Sequence, residues 1–196
     1  MGNKAVFLDR DGVICEDVEY MEYPYQIKLI QGVTKAIRSL NKNGFKIVIV
    51  SNQSGVARGY FTEEDVKRVN LKMISKLGDG CRIDAIYFCP HHPEIGVERY
   101  KKDCDCRKPK PGMLKSAAKD LDIDLKRSFM VGDKMDDVYA GHRAGCETIL
   151  LLTGQGQDEV EYFKTDNTDM EKSIKPNNIA SDLFEAVSII LKKVQK

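Results

Sequence analysis

Residues 6–13, VFLDRDGV, place two aspartates two positions apart at the end of an apolar run. In an extended backbone residues i and i+2 point to the same side, so Asp9 and Asp11 share a site, and Gly12 lets the chain turn sharply after them. Arg10, between the two acids, is then expected to point away from them, into packing or a surface contact. Three later stretches carry related chemistry. SNQSG (51–55) offers a hydroxyl, amides and free backbone N–H groups suited to phosphate oxygens. RKPKPG (107–112) brings Arg107, Lys108 and Lys110 to a helix start, where a lysine can neutralise a phosphoryl group. VGDKMDD (131–137) adds Asp133 beside Lys134. Each stretch alone could be an ordinary solvated turn or loop. Three acids converging on one place repel one another unless a divalent cation or a buried proton sits among them, and oxygen-only ligands favour Mg2+.

A second constellation lies in residues 89–113, CPHHPEIGVERYKKDCDCRKPKPGM, which hold three of the six cysteines and two of the three histidines. Cys89-Pro-His91 and Cys104-Asp-Cys106 form a C-x-H…C-x-C pattern across a short loop. Two close pairs of soft ligands suit a tetrahedral Zn2+, and a closed set of four leaves no open position, so that metal is expected to be structural. His92 is the spare histidine, because neighbours in a turn rarely both reach one ion. A disulfide is the competing reading, and a reducing compartment disfavours it. Cys15, Cys81 and Cys146 lie elsewhere and are expected to be ordinary buried thiols.

These residues need elements to bring them together. Apolar, β-branched runs at 5–9, 45–52, 83–89, 128–133 and 147–153 are expected strands, near-continuous in apolar character as in a parallel sheet covered on both faces. Helical patterns occupy 33–44, 61–78 (with Thr62 as cap), 110–123, 136–145 and 181–194 (with Ser181 as cap). Strand and helix alternation predicts an α/β, doubly wound, mainly parallel fold. In such sheets ligands bind at the carboxyl ends of strands, and Asp9, Ser51, Cys89 and Asp133 all fall at predicted strand ends. Residues 154–178 are expected to be a loop with one short helix. The stretch between Gly12 and the second strong strand leaves no room for a large cap domain. Residues 1–196 are therefore expected to be one domain with a zinc loop at 89–107, and specificity to come from three short loops, 13–30, 53–61 and 89–107.

The 196 residues carry 31 Lys+Arg against 30 Asp+Glu, a net charge of +1, and 42% hydrophobic residues. That balance gives no electrostatic reason to expect nucleic acid or membrane partners. The N-terminus lacks a cleavable signal pattern, Val6 stands where a myristoylation start needs Ser or Thr, and no apolar run approaches a membrane span. A cytoplasmic, monomeric enzyme is expected.

The four motifs DRDGV, SNQS, RKPKPG and GDKMDD, in that order over residues 9–137, resemble the haloacid dehalogenase-like phosphatases. The resemblance implies that Asp9 is the nucleophile and that Asp11 protonates the leaving alcohol and then activates water. It implies that Ser51 and Lys108 hold the phosphoryl oxygens, and that Asp9, the Asp11 carbonyl and Asp133 bind Mg2+. With the zinc loop (Cys89, His91, Cys104, Cys106), SNQSGVARGYFTEED (51–65) and CDCRKPKPGM (104–113), the chain is similar to the D-glycero-D-manno-heptose 1,7-bisphosphate 7-phosphatases of heptose biosynthesis over residues 4–153. In that family Asp17, Val18, Glu19, Tyr20, Asn52, Gln53, Ser54, Arg107 and Lys134 would contact the substrate, a small phosphorylated sugar. The histidinol-phosphate phosphatases share the zinc loop and are the nearest alternative. A phosphoacceptor signalling domain would also set acids at strand ends but needs no zinc loop. A zinc-stabilised nucleic-acid module would need more basic charge and interleaved aromatics.

Overall fold

The computed structural model describes residues 2–165 and 174–194. Six parallel strands, β1 (Ala5–Leu8), β2 (Lys46–Asn52), β3 (Ala85–Cys89), β4 (Phe129–Gly132), β5 (Glu147–Leu151) and β6 (Asn178–Ala180), form one sheet in the order β3-β2-β1-β4-β5-β6. Six helices connect or follow them: α1 (Val33–Lys42), α2 (Glu63–Leu77), α3 (Gly112–Asp120), α4 (Met135–Ala144), α5 (Gly156–Thr165) and α6 (Leu183–Val194).

Side-chain alternation along the strands assigns the two layers. Val6, Leu8, Ile47, Ile49, Phe129 and Val131 face α1, α2 and α6, whose buried residues include Ile37, Leu40, Met73 and Ile190. The intervening Ala5, Phe7, Val48, Val50 and Met130 face α3 and α4 through Met113, Leu114, Ala117 and Ala140. Both sheet faces are therefore buried, which explains the unbroken apolar runs. Each fully buried large aliphatic side chain contributes about 1.5–3 kcal/mol over its exposed state.

The helix starts obey local chemistry. At α2 the Thr62 hydroxyl accepts from Asp65 N at 3.2 Å while Asp65 Oδ2 accepts from Thr62 N at 2.7 Å, a reciprocal cap. At α6 the expected cap moves by one residue. Asp182 Oδ1 accepts from Glu185 N at 2.8 Å, and Ser181 instead donates its N–H and hydroxyl to Glu185 Oε2. Strand β6, which starts at the last residue of the polar stretch 154–178, and its pairing with β5 were not expected, whereas helix α5 falls within that stretch as anticipated. Residues 166–173 of that stretch lie outside the described residues.

The register levels the strand ends. Leu8 of the central β1 is the partner of both Ile49 on β2 and Val131 on β4. Neighbouring crossovers leave β1 on opposite sides, so a crevice opens between the carboxyl ends of β1 and β4, where strand order reverses. Between β1 and α1 there is only loop and one short 3-10 turn (Pro24–Gln26), so no cap domain is inserted there. Among the described residues no helix is long and apolar enough to cross a membrane.

Candidate active site

Asp9 follows β1, Ser51 and Asn52 end β2, Lys108 precedes α3, and Asp133 follows β4; the crevice gathers them all. Carboxylate oxygens of Asp9, Asp133 and Asp137 lie within 4.8 Å of one another. Lys108 Nζ sits among them, 3.1 Å from Asp9 Oδ1 and 2.6 Å from Asp137 Oδ1, and donates to Val50 O at 2.9 Å. Asn52 fixes the lysine's backbone through both amide atoms: Oδ1 accepts from Lys108 N at 3.0 Å and Nδ2 donates to Lys108 O at 2.9 Å. Lys108 is 2% exposed and Asp137 1%, so this is a desolvated charge cluster, not a surface pair.

Asp133 is walled in by glycines. Gly12 has φ +80, and a Cβ there would lie 2.1 Å from Asp133 Oδ2; a Cβ on Gly154, φ +55, would lie 2.2 Å from the same oxygen. Only glycine allows both the left-handed turn and that approach. Gln155 N donates to Asp133 Oδ2 at 2.9 Å, while Thr153 Oγ1 donates to Gly12 O at 2.6 Å and ties the two glycine turns together. Asp133 Oδ1 remains buried with no hydrogen-bond partner.

Burial pushes Asp9 up to about 6, opposed by Lys108 and reinforced by the charges of Asp137 and Asp11. Burial, with the charges of Asp9 and Asp137, pushes Asp133 up to about 7. For Lys108 burial acts downward, but Asp137 and Asp9 outweigh it, and its ammonium is held well above the usual lysine range. Three carboxylates against one ammonium leave two negative charges uncompensated. A divalent cation supplies that balance, and Asp133 Oδ1 is a free, buried oxygen donor. The all-oxygen set therefore fits Mg2+.

Asp11 lines the same cavity as Asp9 but is held by a separate network. Contrary to expectation, Arg10 does not point away from the acids. It is 1% exposed and forks onto Asp11, with Nε to Oδ1 at 3.0 Å and Nη2 to Oδ2 at 2.8 Å. Its Nη1 donates to Asn70 Oδ1 on α2 at 3.2 Å. Strand alternation misleads here because β1 ends at Leu8, and the turn that follows carries Arg10 back beside its neighbour. Gln53 Nε2 donates to Asp11 Oδ2 at 2.9 Å and to Ser51 Oγ at 2.8 Å, linking the acid to the hydroxyl.

Asp17, Glu19, Tyr20, Asn52, Gln53, Ser54 and Lys134 line the cavity. Lys134 Nζ reaches Asp17 Oδ2 at 3.4 Å. Glu19 holds a left-handed backbone at φ 63, an unusual conformation for a residue with a side chain. Val18 and Arg107 fall outside the lining, and Lys110 turns to Asp103, with 2.6 Å between ammonium and carboxylate. Asp136 and Asp137 were missed as site residues by sequence reasoning. Asp137 is the third residue of α4, after the extended Lys134 cap, and its Oδ2 accepts from Lys134 N at 3.2 Å.

The second cluster stands at the end of β3. Cys89 Sγ, His91 Nδ1, Cys104 Sγ and Cys106 Sγ are mutually separated by 3.2–3.7 Å, six nearly equal edges. A disulfide needs about 2.05 Å, so the thiols are free. The edges describe a tetrahedron, and the S3N donor set suits a soft or borderline metal held structurally. A hydrogen bond from Cys89 lowers the Cys106 thiol to about 5, while the same contact, with burial, raises Cys89. His92 stays outside the cluster, its Nδ1 accepting from Glu94 N at 3.2 Å and Ile95 N at 3.1 Å. Of the other cysteines, Cys15 and Cys146 are buried and Cys81 is half-buried.

The haloacid dehalogenase-like hydrolase family model matches residues 16–145, and a second HAD-hydrolase-like model matches residues 105–186. A D-glycero-beta-D-manno-heptose-1,7-bisphosphate 7-phosphatase of Haemophilus ducreyi is 47% identical over 79% of this chain and 86% of its own. The protein of that name from Escherichia coli K12 is 42% identical over 87% of this chain and 93% of its own. A crystal structure of D,D-heptose 1,7-bisphosphate phosphatase from B. bronchiseptica, complexed with magnesium and phosphate, superposes with a TM-score of 0.82 at 31% identity, covering 97% of this chain and 99% of that one. With these similarities and the crevice of strand-end acids, the chain belongs to the D-glycero-D-manno-heptose 1,7-bisphosphate 7-phosphatase family of haloacid dehalogenase-like hydrolases.

Proposed function

We propose that this protein removes the 7-phosphate of D-glycero-D-manno-heptose 1,7-bisphosphate through a covalent aspartyl phosphate. The carrying observation is the buried Asp9–Lys108–Asp137 cluster opening onto a cavity shared with Asp11 and Ser51. Asp9 Oδ1 is held by Arg10 N at 2.7 Å and by Lys108, leaving Oδ2 to attack phosphorus. Lys108 and Ser51 Oγ neutralise and orient the equatorial phosphoryl oxygens. Asp11, oriented by the Arg10 fork and Gln53, protonates the departing sugar oxygen. It then takes a proton from the water that attacks the phosphoenzyme and restores Asp9. Asp9, the Asp11 carbonyl and Asp133 would hold Mg2+, which supplies positive charge opposite the transferring group when bound. Asp17, Glu19, Tyr20 and Lys134 on the cavity wall would meet the sugar.

For the S3N cluster we propose Zn2+ as a structural ion that shapes the loop ending at Arg107 and Lys108. The relatives are D-glycero-beta-D-manno-heptose-1,7-bisphosphate 7-phosphatases, and the beta anomer is proposed here too. The test is phosphate release with Mg2+ from both anomers of the heptose bisphosphate, from histidinol phosphate, and from each with Asp9→Asn. The expected ranking is the beta bisphosphate first, with Asp9→Asn losing at least about three decades, as isosteric removal of an activated nucleophile does. Full activity of a folded Asp9→Asn protein would remove the covalent mechanism, and higher kcat/KM on histidinol phosphate would remove the substrate.

A further inference from the structure

With no cap domain inserted between β1 and α1, loops form much of the wall of the reaction cavity. The loop between β1 and α1 is tied down on two sides of it. On the side of β4 and β5, Asp17 Oδ2 meets Lys134 Nζ and Gln155 Nε2, each at 3.4 Å. On the side of β2, the ring of Tyr20 meets the ring of Tyr60 edge to face, with centroids 4.8 Å apart and planes at 84°. Between these anchors the backbone is strained. Glu19 holds φ 63, its N–H donates to Asp17 Oδ1 at 2.9 Å, and Tyr20 N donates to Val18 O at 2.7 Å. A residue with a side chain persists in that conformation only where contacts on either side hold it.

The Tyr60 anchor is itself tightly built. Residues 54–60 fold into consecutive turns: Arg58 N donates to Ser54 O at 3.0 Å, Gly59 N to Val56 O at 3.1 Å and Tyr60 N to Gly55 O at 2.9 Å. Phe61 closes the base of these turns, and a Cβ on Gly55 would lie 2.2 Å from its Cζ. Phe61 lines the cavity and forms a buried apolar cluster with Val56 and Val66, onto which Tyr20, Phe88 and Tyr100 pack. Tyr100 comes from the metal loop and donates its hydroxyl to Glu63 Oε1 at 2.7 Å. One aromatic cluster therefore joins the three short loops expected to set specificity. Tyr20 is half-buried and lines the cavity, whereas Tyr60 is 53% exposed and falls outside the lining. A ring so exposed adds little to the core, and its edge-to-face contact with Tyr20 is its structural contribution.

We propose that Tyr60 is a positioning residue: by holding Tyr20 in place on the cavity wall, it favours a sugar-sized phosphate ester over a small one. The C–H faces of a sugar then meet an aromatic wall fixed before binding, and Tyr20 does not have to be ordered when the substrate arrives. A phosphate ester without a sugar uses only the reacting end of the cavity, where Asp9, Ser51 and Lys108 lie, and gains nothing from the pair.

The inference rests on the heptose bisphosphate reading, and the experiment separates the two. Wild type, Tyr60→Ala, Tyr60→Phe, Tyr20→Leu and the Tyr20→Leu/Tyr60→Ala double variant are compared in kcat and KM on heptose 1,7-bisphosphate and on acetyl phosphate. Tyr60→Ala is expected to raise KM for the sugar by about two- to tenfold, the worth of one edge-to-face pair, with kcat within about twofold of wild type. On acetyl phosphate both constants should stay as in wild type. Tyr60→Phe keeps the ring and should match wild type on both substrates. In the Tyr20→Leu background Tyr60→Ala should add no further loss, because Tyr60 acts through Tyr20. An unchanged KM in Tyr60→Ala, equal losses on the two substrates, or additive losses in the double variant would overturn the proposal. Limited proteolysis reads the same contact with no substrate present: cutting within residues 13–30 should quicken in Tyr60→Ala but not in Tyr60→Phe, and equal cutting would overturn it. A wild type active on acetyl phosphate but not on the heptose bisphosphate would remove the substrate reading alone. The positioning role then stands or falls on proteolysis and on inhibition by fructose 1,6-bisphosphate, which Tyr60→Ala must weaken.

Discussion

The acid cluster at the ends of β1 and β4 and the thiol cluster at the end of β3 each bring ligating atoms within 4.8 Å of one another, but different forces hold them. Asp9, Asp133 and Asp137 are 6%, 0% and 1% exposed. They sit on strand ends and the first turn of a helix, and the sheet register, two glycine turns and a buried ammonium fix their spacing. In the thiol cluster only Cys89 belongs to a strand; His91, Cys104 and Cys106 are half-buried on a loop. Their contacts with one another are thiol and imidazole contacts, individually weak. The fold therefore builds the acid site before any metal arrives, at the cost of concentrated negative charge. The thiol site would obtain much of its shape from the metal proposed for it.

The largest expected effect breaks the acid side of that comparison. Lys108→Met keeps the stem and removes the ammonium, leaving three buried carboxylates without a protein cation. Removing one partner of a buried ion pair costs about 3–5 kcal/mol, or about 6–20 °C in Tm for a chain of this size. Turnover should fall by about two to three decades, similarly for aryl and sugar phosphates, because the lost charge served the transferred group. Saturating Mg2+ should raise Tm more in Lys108→Met than in wild type, since the ion replaces part of the missing charge. An unchanged Tm, or equal Mg2+ shifts, would show that the acids are held without charge complementarity.

An intermediate effect is expected from Cys104→Ser. A ligand of the cluster is lost while the sheet is untouched. Metal analysis after dialysis should show one tightly held zinc per wild-type chain and a substoichiometric amount in the variant. The fall in affinity should exceed the about 10–100-fold typical of changes outside the ligand shell. Proteolysis within 89–107 should accelerate, and kcat/KM should suffer more on a sugar bisphosphate than on p-nitrophenyl phosphate, because the loop carries Arg107. Unchanged zinc content in Cys104→Ser would remove the tetrahedral assignment.

The same contrast explains what could be read from the residues alone. Asp9, Ser51 and Asp133 were placed together because parallel strands deliver their carboxyl ends to one rim. The four soft ligands were visible as close pairs in sequence. Asp137 and the Arg10 fork were not, since each depends on what the chain does after the strand stops. Asp137 requires α4 to begin at Met135, and Arg10 requires the turn after Leu8 to fold the guanidinium back. Strand β6 escaped because three residues, Asn-Ile-Ala, are too short to show periodicity, and its pairing with β5 is non-local. Arg107 was expected at the rim by its neighbour's position; its Nη1 donates to His91 O at 3.2 Å, and it is not among the residues lining the cavity.

The smallest effect sharpens the claim that the fold, rather than the metal, orients the acids. Asn70 projects from α2, is 6% exposed, and accepts from Arg10 Nη1 at 3.2 Å. Asn70→Leu preserves approximate volume and removes that acceptor. A buried guanidinium N–H left unsatisfied costs about 1–3 kcal/mol, so Tm should fall by several degrees. Asp11 keeps its two bonds from Arg10 and one from Gln53, so its orientation should largely survive. Turnover should accordingly drop by less than about tenfold, within about 1.4 kcal/mol, with metal content unchanged. Adding Gln53→Leu should cost more than the two single losses summed, because both residues brace the same carboxylate. A turnover loss in Asn70→Leu as large as that of Lys108→Met would mean that Asp11 depends on α2 through one bond. The acid site would then be as loosely supported as the thiol loop.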